Sequence, residues 1–234
     1  MMTTEPLLLY IETATEICSV ALSEGHKLIG LKESNDGNSH SKNLLPFINE
    51  MLQDCHKELS HINGVVVSIG PGSYTGLRIG VSTAKGIAYS LNIPIIAINT
   101  LTGIAAGALE YYQEESIQII PMIDARRMEV FTTRFDKNLN GLEQVSAVIV
   151  DENSFTDVLS DTKVVFCGNG LPKCKELLSK HPNAEFIDFP VSAKYMIAPA
   201  LEKWEKQDFA DTAYFEPFYL KEYVAGKPTV KGLH

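Results

Sequence analysis

The alternation of apolar and polar positions along the chain follows a plan that is stated twice. "PLLLYIE", "ICSVALSEG" and "KLIGLKES" are strand-like runs joined by tight turns, which predicts an antiparallel meander at the start. A polar loop, "DGNSHS", follows. From Ser41 to about Leu59, the residues Leu44, Ile48, Met51 and Cys55 fall at spacings of 4, 3 and 4, the one-sided stripe of a helix. "GVVVSIG" is apolar and β-branched and reads as a strand buried on both faces. Beyond "GPGSYTGLRIG", the residues Leu77, Val81, Ala84, Ala88 and Leu91 repeat at 4, 3, 4 and 3, predicting a second helix with a narrow seam. "IPIIAIN" is another buried strand and "TLTGIAAGALEYY" a helix of small residues. Strand and helix in alternation imply parallel pairing with right-handed crossovers.

The same order then returns. "IQIIPMIDA", "MEVFTTRF" and "VSAVIV" are strands, "SFTDVLS" a short helix, and "KVVFCGNG" a strand running into a glycine turn. "LPKCKELLSK" is a helix, "AEFIDF" a strand and "SAKYMIAPALEKWEK" a helix. The fold class is therefore α/β with two similar lobes, divided as residues 1–100 and 101–234. The tail "YLKEYVAGKPTVKGLH" is expected to lose order toward its end.

Composition narrows the function classes. The formal net charge is −9 over 234 residues, so binding to nucleic acid gains nothing from counterion release unless a partner supplies the basic surface. No apolar run reaches the length that spans a bilayer, and "MMTTEPLLLYIE" lacks a charged leader. The expected location is the cytoplasm. Cys18, Cys55, Cys167 and Cys174 form no CxxC pair and read as free thiols. No two histidines stand at the spacing that puts metal ligands on one helix face, so no metal site is expected.

The glycine loop is a weak phosphate signal. A P-loop needs a Gly-Lys-Ser/Thr ending, which is absent, and Thr75 stands where the third glycine of G-x-G-x-x-G belongs. A serine nucleophile at Ser39 or Ser73 has no G-x-S-x-G elbow and no evident base. Glu12 and Asp124, each after the first strand of a lobe, are acids at matched positions that could face a metal–nucleotide between the lobes.

Three stretches in this order, "YIETATEICSVAL", "GPGSYTGLRIGVSTAKGIA" and "IDARRMEVF", resemble the TsaB family, also called YeaZ. The middle stretch is the most specific, and the C-terminal part matches loosely. The resemblance implies the two-lobed ASKHA fold of actin and sugar kinases. It also implies a non-catalytic part in making threonylcarbamoyladenosine at position 37 of tRNAs that read codons beginning with A. The implied partners are a catalytic paralogue, TsaD, and an ATPase, TsaE, with a homodimer in isolation and tRNA met only through the complex. An older label, M22-type glycopeptidase, goes with the same resemblance. The catalytic paralogue carries an H-x-x-x-H metal motif whose histidine positions correspond to Thr100 and Ile104; neither suits a transition metal. The nucleotide loops are altered too. Glu12 and Thr13 replace an Asp-led first loop, and Ala125, Arg126, Arg127 and Met128 follow Asp124 where glycines are usual. Glu12, Thr13, Asp124, Gly168 and Gly170 are thus vestigial loop candidates. No catalytic residue and no required cofactor is expected in this chain alone, with ATP or ADP belonging to the assembled complex. A stand-alone ATP-binding enzyme of this fold, or an M22-like peptidase, is the alternative.

The glycine loop is accordingly expected to set the angle of a helix that meets another protein. The resemblance implies a four-helix bundle between two subunits. The expected contact residues are Leu44, Ile48, Met51, Leu52 and Cys55 on the first helix. On the second they are Tyr74, Leu77, Arg78, Val81, Ala84 and Ala88. The competing expectation is that both stripes face their own sheet. Arg78, a cation in the first turn of its helix, is disfavoured by the dipole and calls for a compensating partner.

Overall fold

The computed structural model describes residues 5–36, 40–112, 114 and 116–221. Ser39 and the end of the tail lie outside the described residues.

The first lobe opens with the meander β1 (Leu7–Glu12), β2 (Cys18–Glu24) and β3 (Lys27–Ser34). Then come α1 (His40–Asp54), β4 (Gly64–Ser68), α2 (Tyr74–Leu91) and β5 (Ile95–Ile98). The sheet order is β3-β2-β1-β4-β5, with β1 antiparallel to β2 and parallel to β4. Helix α3 (Thr100–Leu109) leads into the second lobe: β6 (Ile117–Asp124), β7 (Glu129–Thr132), β8 (Ser146–Ile149), α4 (Thr156–Leu159), β9 (Lys163–Cys167), α5 (Leu171–Leu178) and β10 (Ala184–Phe186). Its order, β8-β7-β6-β9-β10, repeats that of the first lobe strand for strand. Two sheets with flanking helices in this duplicated arrangement are the two-lobed ASKHA fold.

Period-two alternation assigns each strand residue to a face. In β1 and β4, Leu7, Leu9, Ile11, Val65 and Val67 point to one side, where Leu44, Ile48 and Met51 of α1 and Val81, Ala84 and Ala88 of α2 cover them. Leu8, Tyr10 and Val66 point to the other side, against Met196, Ala200 and Leu201. Those last residues belong to a 3-10 turn, Ala193–Met196, and to α6 (Ile197–Glu205). The run "SAKYMIAPALEKWEK" is therefore two pieces, a 3-10 turn that the Ser192 hydroxyl caps by accepting the Lys194 amide, and α6 after it. In the second lobe, α3 covers Ile119, Ile123 and Val165, while α4 and α5 cover Ile120, Val164 and Phe166. The helix that follows each sheet's last strand thus packs on the other sheet: α3 on the second, α6 on the first. Both lie between the sheets, in contact with each other.

Local signals explain the boundaries of α2 and α3. Ser73 caps α2 by accepting the Gly76 amide at 3.2 Å, and Asn92 closes it in the left-handed conformation (φ 54°). Asn99 caps α3 by accepting the Leu101 amide at 2.9 Å. Helix α1 ends at Asp54, short of the expected Leu59, because His56 turns left-handed (φ 53°) and a 3-10 turn, Leu59–His61, follows.

Candidate functional site

The glycine loop sits between β4 and α2, and its close visitor is the chain itself. A Cβ on Gly76 would fall inside the Thr13 carbonyl oxygen, one on Gly72 inside that of Ala14, and one on Gly80 against the Thr13 hydroxyl. Gly70, at φ +115°, holds the Phe218 carbonyl oxygen where its own Cβ would stand. Hydrogen bonds close the same contacts. The Ser73 amide donates to the Ala14 carbonyl at 2.7 Å, and the Thr13 hydroxyl donates to the Gly76 carbonyl at 2.8 Å. The Gly70 amide donates to the Thr100 hydroxyl at 3.1 Å. His40, at the start of α1, adds a contact through Nε2, 2.9 Å from the Thr15 carbonyl oxygen. The glycines of this loop thus have an explanation within the chain: residues 13–14 and 218 occupy the space that they leave.

Glu12 is buried beneath this junction. Its Oε1 accepts the Ala14 amide at 2.6 Å and the Ser68 hydroxyl at 2.8 Å. Burial outweighs these bonds and pushes its pKa up to about 7. Asp124, its counterpart, is exposed. Asp124 pairs with Lys173 and accepts the Arg126 amide at 2.8 Å, while Arg126 and Arg127 both sit at positive φ. Gly168 and Gly170 fold back on β6: Gly168 holds the Met122 carbonyl at φ +92°, and the Gly170 amide donates to the same carbonyl at 2.9 Å. Between them, Asn169 joins the two loops. Its Oδ1 accepts the Asp124 amide at 3.1 Å, and its Nδ2 donates to Glu16 at 2.8 Å.

The structure links the loop after β1 to the loop after β6 through Asn169, which bonds both Glu16 and Asp124. It also turns their glycines and several of their amides onto the chain's own backbone. A nucleotide phosphate needs bare amides at a glycine turn. The donors at Gly70, Ser73, Gly76 and Gly170 already have acceptors in the chain, so these residues do not fit such a cradle. Thr100 accepts the Gly70 amide, and Ile104 is buried with Leu101 and Ala108 of α3. Among the described residues, no cluster of three or more His, Cys, Asp or Glu side chains could hold a metal, and no helix is long and apolar enough to cross a membrane.

The expected contact stripes face inward. Leu44, Ile48, Met51 and Leu52 of α1, and Leu77, Val81, Ala84 and Ala88 of α2, are at most 5% exposed. All but Leu77, which lies under the Gly70 turn, belong to the cluster over the first sheet. They serve the lone chain's core. Cys55 is half-buried, its thiol donating to the Ile29 carbonyl at 3.2 Å. Of the stripe residues, Arg78 is exposed and Tyr74 half-buried. The compensating partner for Arg78 is aromatic: its guanidinium lies 4.7 Å from the Tyr74 ring centroid, and the Tyr219 ring packs on Tyr74 in turn.

The outer surface of the two helices carries Leu45 and Asn49 on α1 and Arg78, Ser82, Gly86 and Tyr89 on α2, with Leu45 56% and Tyr89 83% exposed. Among the described residues, nothing beyond its chain neighbours and its own helix backbone lies within 4 Å of where a Gly86 Cβ would stand. Sequence reasoning passed over Gly86, although a glycine in mid-helix was a readable signal.

The TsaD family model, described as tRNA N6-adenosine threonylcarbamoyltransferase, matches residues 34–210. The tRNA threonylcarbamoyladenosine biosynthesis protein TsaB of Escherichia coli is 30% identical over 229 residues, covering 94% of this chain and 96% of that one. The TsaB protein of Haemophilus influenzae is 28% identical over 229 residues, covering 94% and 95%. A Pseudomonas aeruginosa crystal structure, described as an uncharacterised protein similar to the peptidase YeaZ, superposes with a TM-score of 0.81 at 22% identity. It covers 92% of this chain and 100% of that one. With the duplicated sheets, the closed glycine loops and these matches together, the chain belongs to the TsaB (YeaZ) family.

Proposed function

We propose that this chain serves tRNA threonylcarbamoyladenosine biosynthesis as a non-catalytic pairing subunit. In this reading it supports a TsaD-type catalytic paralogue, with a TsaE-type ATPase joining them, and pairs with itself in isolation. It meets tRNA through the complex and works in the cytoplasm, where tRNA is modified. It requires no cofactor alone, and ATP or ADP belongs to the assembly. Residues 1–100 form the pairing lobe and 101–234 its companion.

One observation carries the reading: the glycine turns beside the candidate nucleotide loops are filled by the chain's own atoms. What they leave open is the outer face of α2. Glycine inside a helix costs about 0.5–1 kcal/mol relative to alanine. At Gly86 the chain itself gives no reason for it. Close approach by a second helix does, because interaxial distance follows side-chain size at the contact. The pairing surface is therefore Leu45 and Asn49 of α1 with Arg78, Ser82 and Gly86 of α2, and Tyr74 braces Arg78 from behind.

Reconstitution tests this. The chain, the paralogue, the ATPase, tRNA and threonylcarbamoyl-adenylate are combined, and modified adenosine is measured with each component left out. Modification that needs the chain, with none from the chain by itself, supports the subunit reading. Equal modification without it contradicts that reading. Turnover of ATP or peptide by the chain alone would favour the stand-alone enzyme.

A further inference from the structure

After α6 the described chain runs along the first lobe and reaches the second at Lys221. The Ala210 amide donates to the Ile95 carbonyl at 2.8 Å, extending the edge of the first sheet. Lys85 of α2 donates to the carbonyls of Ala213 and Phe215, at 3.1 and 3.0 Å, and lies over the Phe215 ring. The Phe218 amide donates to the Ile69 carbonyl at 2.6 Å, while its own carbonyl fills the space beside Gly70. The Tyr219 ring lies 4.7 Å from that of Tyr74, the ring over which Arg78 sits. Lys221 then pairs with Glu129 on β7 of the second lobe.

We propose that residues 209–221 form a tie that couples the outer face of α2, and the glycine loop beside it, to the second lobe. The contacts fall in chain order: sheet edge, α2, glycine loop, Tyr74, second lobe. Lys85, Arg78 and Tyr74 lie within a narrow angular range on α2, so the tie follows one flank of the helix and leaves Ser82 and Gly86 uncovered. Its hold is local. Phe215 and Ala210 pack against the core, but Tyr214, Glu216 and Phe218 are exposed. A segment with few buried apolar contacts opens at lower free energy than the sheets. When the tie is seated, Tyr219 holds the Tyr74 ring on which Arg78 lies, and a fixed side chain binds with less ordering cost. When it is released, Arg78 loses that support and the link to Glu129 breaks. The tie itself does not depend on the proposed function; its consequence for pairing does.

The test breaks one end and reads the other. Lys221→Glu sets two carboxylates together at the far end. In the full lone chain, amide exchange at Phe215 and Phe218 should rise about three- to tenfold, with β1 and β4 unchanged. The swap Glu129→Lys with Lys221→Glu should restore it. Tyr219→Ala should raise the same amides without touching Glu129. Lys221→Glu should also weaken pairing with the paralogue at least threefold, although Lys221 lies off both pairing helices. Unchanged exchange at Phe218, no rescue by the swap, or unchanged pairing despite faster exchange would each overturn the coupling. Failure of the wild-type chain to pair at all counts instead against the proposed function.

Discussion

The two lobes share a strand order and differ in what covers it. In the first, α1 has 15 residues and α2 has 18; their counterparts α4 and α5 have 4 and 8. A helix the length of α2 spans about 27 Å. The five residues of β4 beneath it span about 17 Å. Helix α2 is longer than its own sheet requires, and α5 is not. The loops show the opposite: both lobes treat their glycines alike, folding Gly72 and Gly76 onto residues 13–14 and Gly168 and Gly170 onto Met122 and Ile123. The lobes differ in their helices rather than in their glycine turns, which fits a partner-binding role for the first lobe.

That comparison can be broken at several points. The largest effect is expected at Gly76, where an added methyl meets backbone rather than a movable side chain. Gly76→Ala should cost about 3 kcal/mol or more in denaturant unfolding. Gly170→Ala, whose nearest neighbours stand at 3.0 Å, should cost less. Equal losses would mean that the two loops are equally closed.

Glu12 and Asp124 form the next contrast. Glu12 holds its proton more tightly folded, at about 7, than an ordinary carboxyl near 4.5 does. The folded state therefore binds more protons across that interval. This contribution is fully present below about pH 4.5 and is lost as pH rises through 7. Relative to wild type, Glu12→Gln should gain up to about 3 kcal/mol between pH 5 and 8. Asp124→Asn removes an exposed pair with Lys173 and should change stability by less than about 1 kcal/mol. Parallel stability–pH curves for wild type and Glu12→Gln would contradict the burial argument.

Within α2, the inner and outer faces make opposite predictions. Ala84 is fully buried, so Ala84→Leu should destabilise the lone chain by about 1–3 kcal/mol. Gly86→Ala should stabilise it by about 0.5–1 kcal/mol. Both are read from denaturant midpoints. A neutral Ala84→Leu would return the inner stripe to the surface.

The strand–helix plan, its duplication and the buried character of β4 were all legible, because periodicity reports burial directly. The orientation of the helices was not. Spacings of 4, 3 and 4 at Leu44, Ile48 and Met51 say that one face is apolar, not whether a sheet or a partner covers it. The structure resolves this toward the sheet. The acids Glu12 and Asp124 were readable as a matched pair, but their unlike burial depends on Ser68 and Ala14 closing over one and solvent reaching the other. The tie of residues 209–221 was invisible, because its anchors are main-chain carbonyls met by Lys85 across 128 and 130 positions of sequence.

The most direct measurement is the affinity of Gly86→Leu for the TsaD-type paralogue, taken with its unfolding midpoint. Leucine suits a helix, and the site has room in the lone chain. The expected result is a midpoint at or above wild type with pairing weakened at least tenfold. Wild-type affinity in a folded Gly86→Leu chain would contradict the assignment of pairing to the outer face of α2.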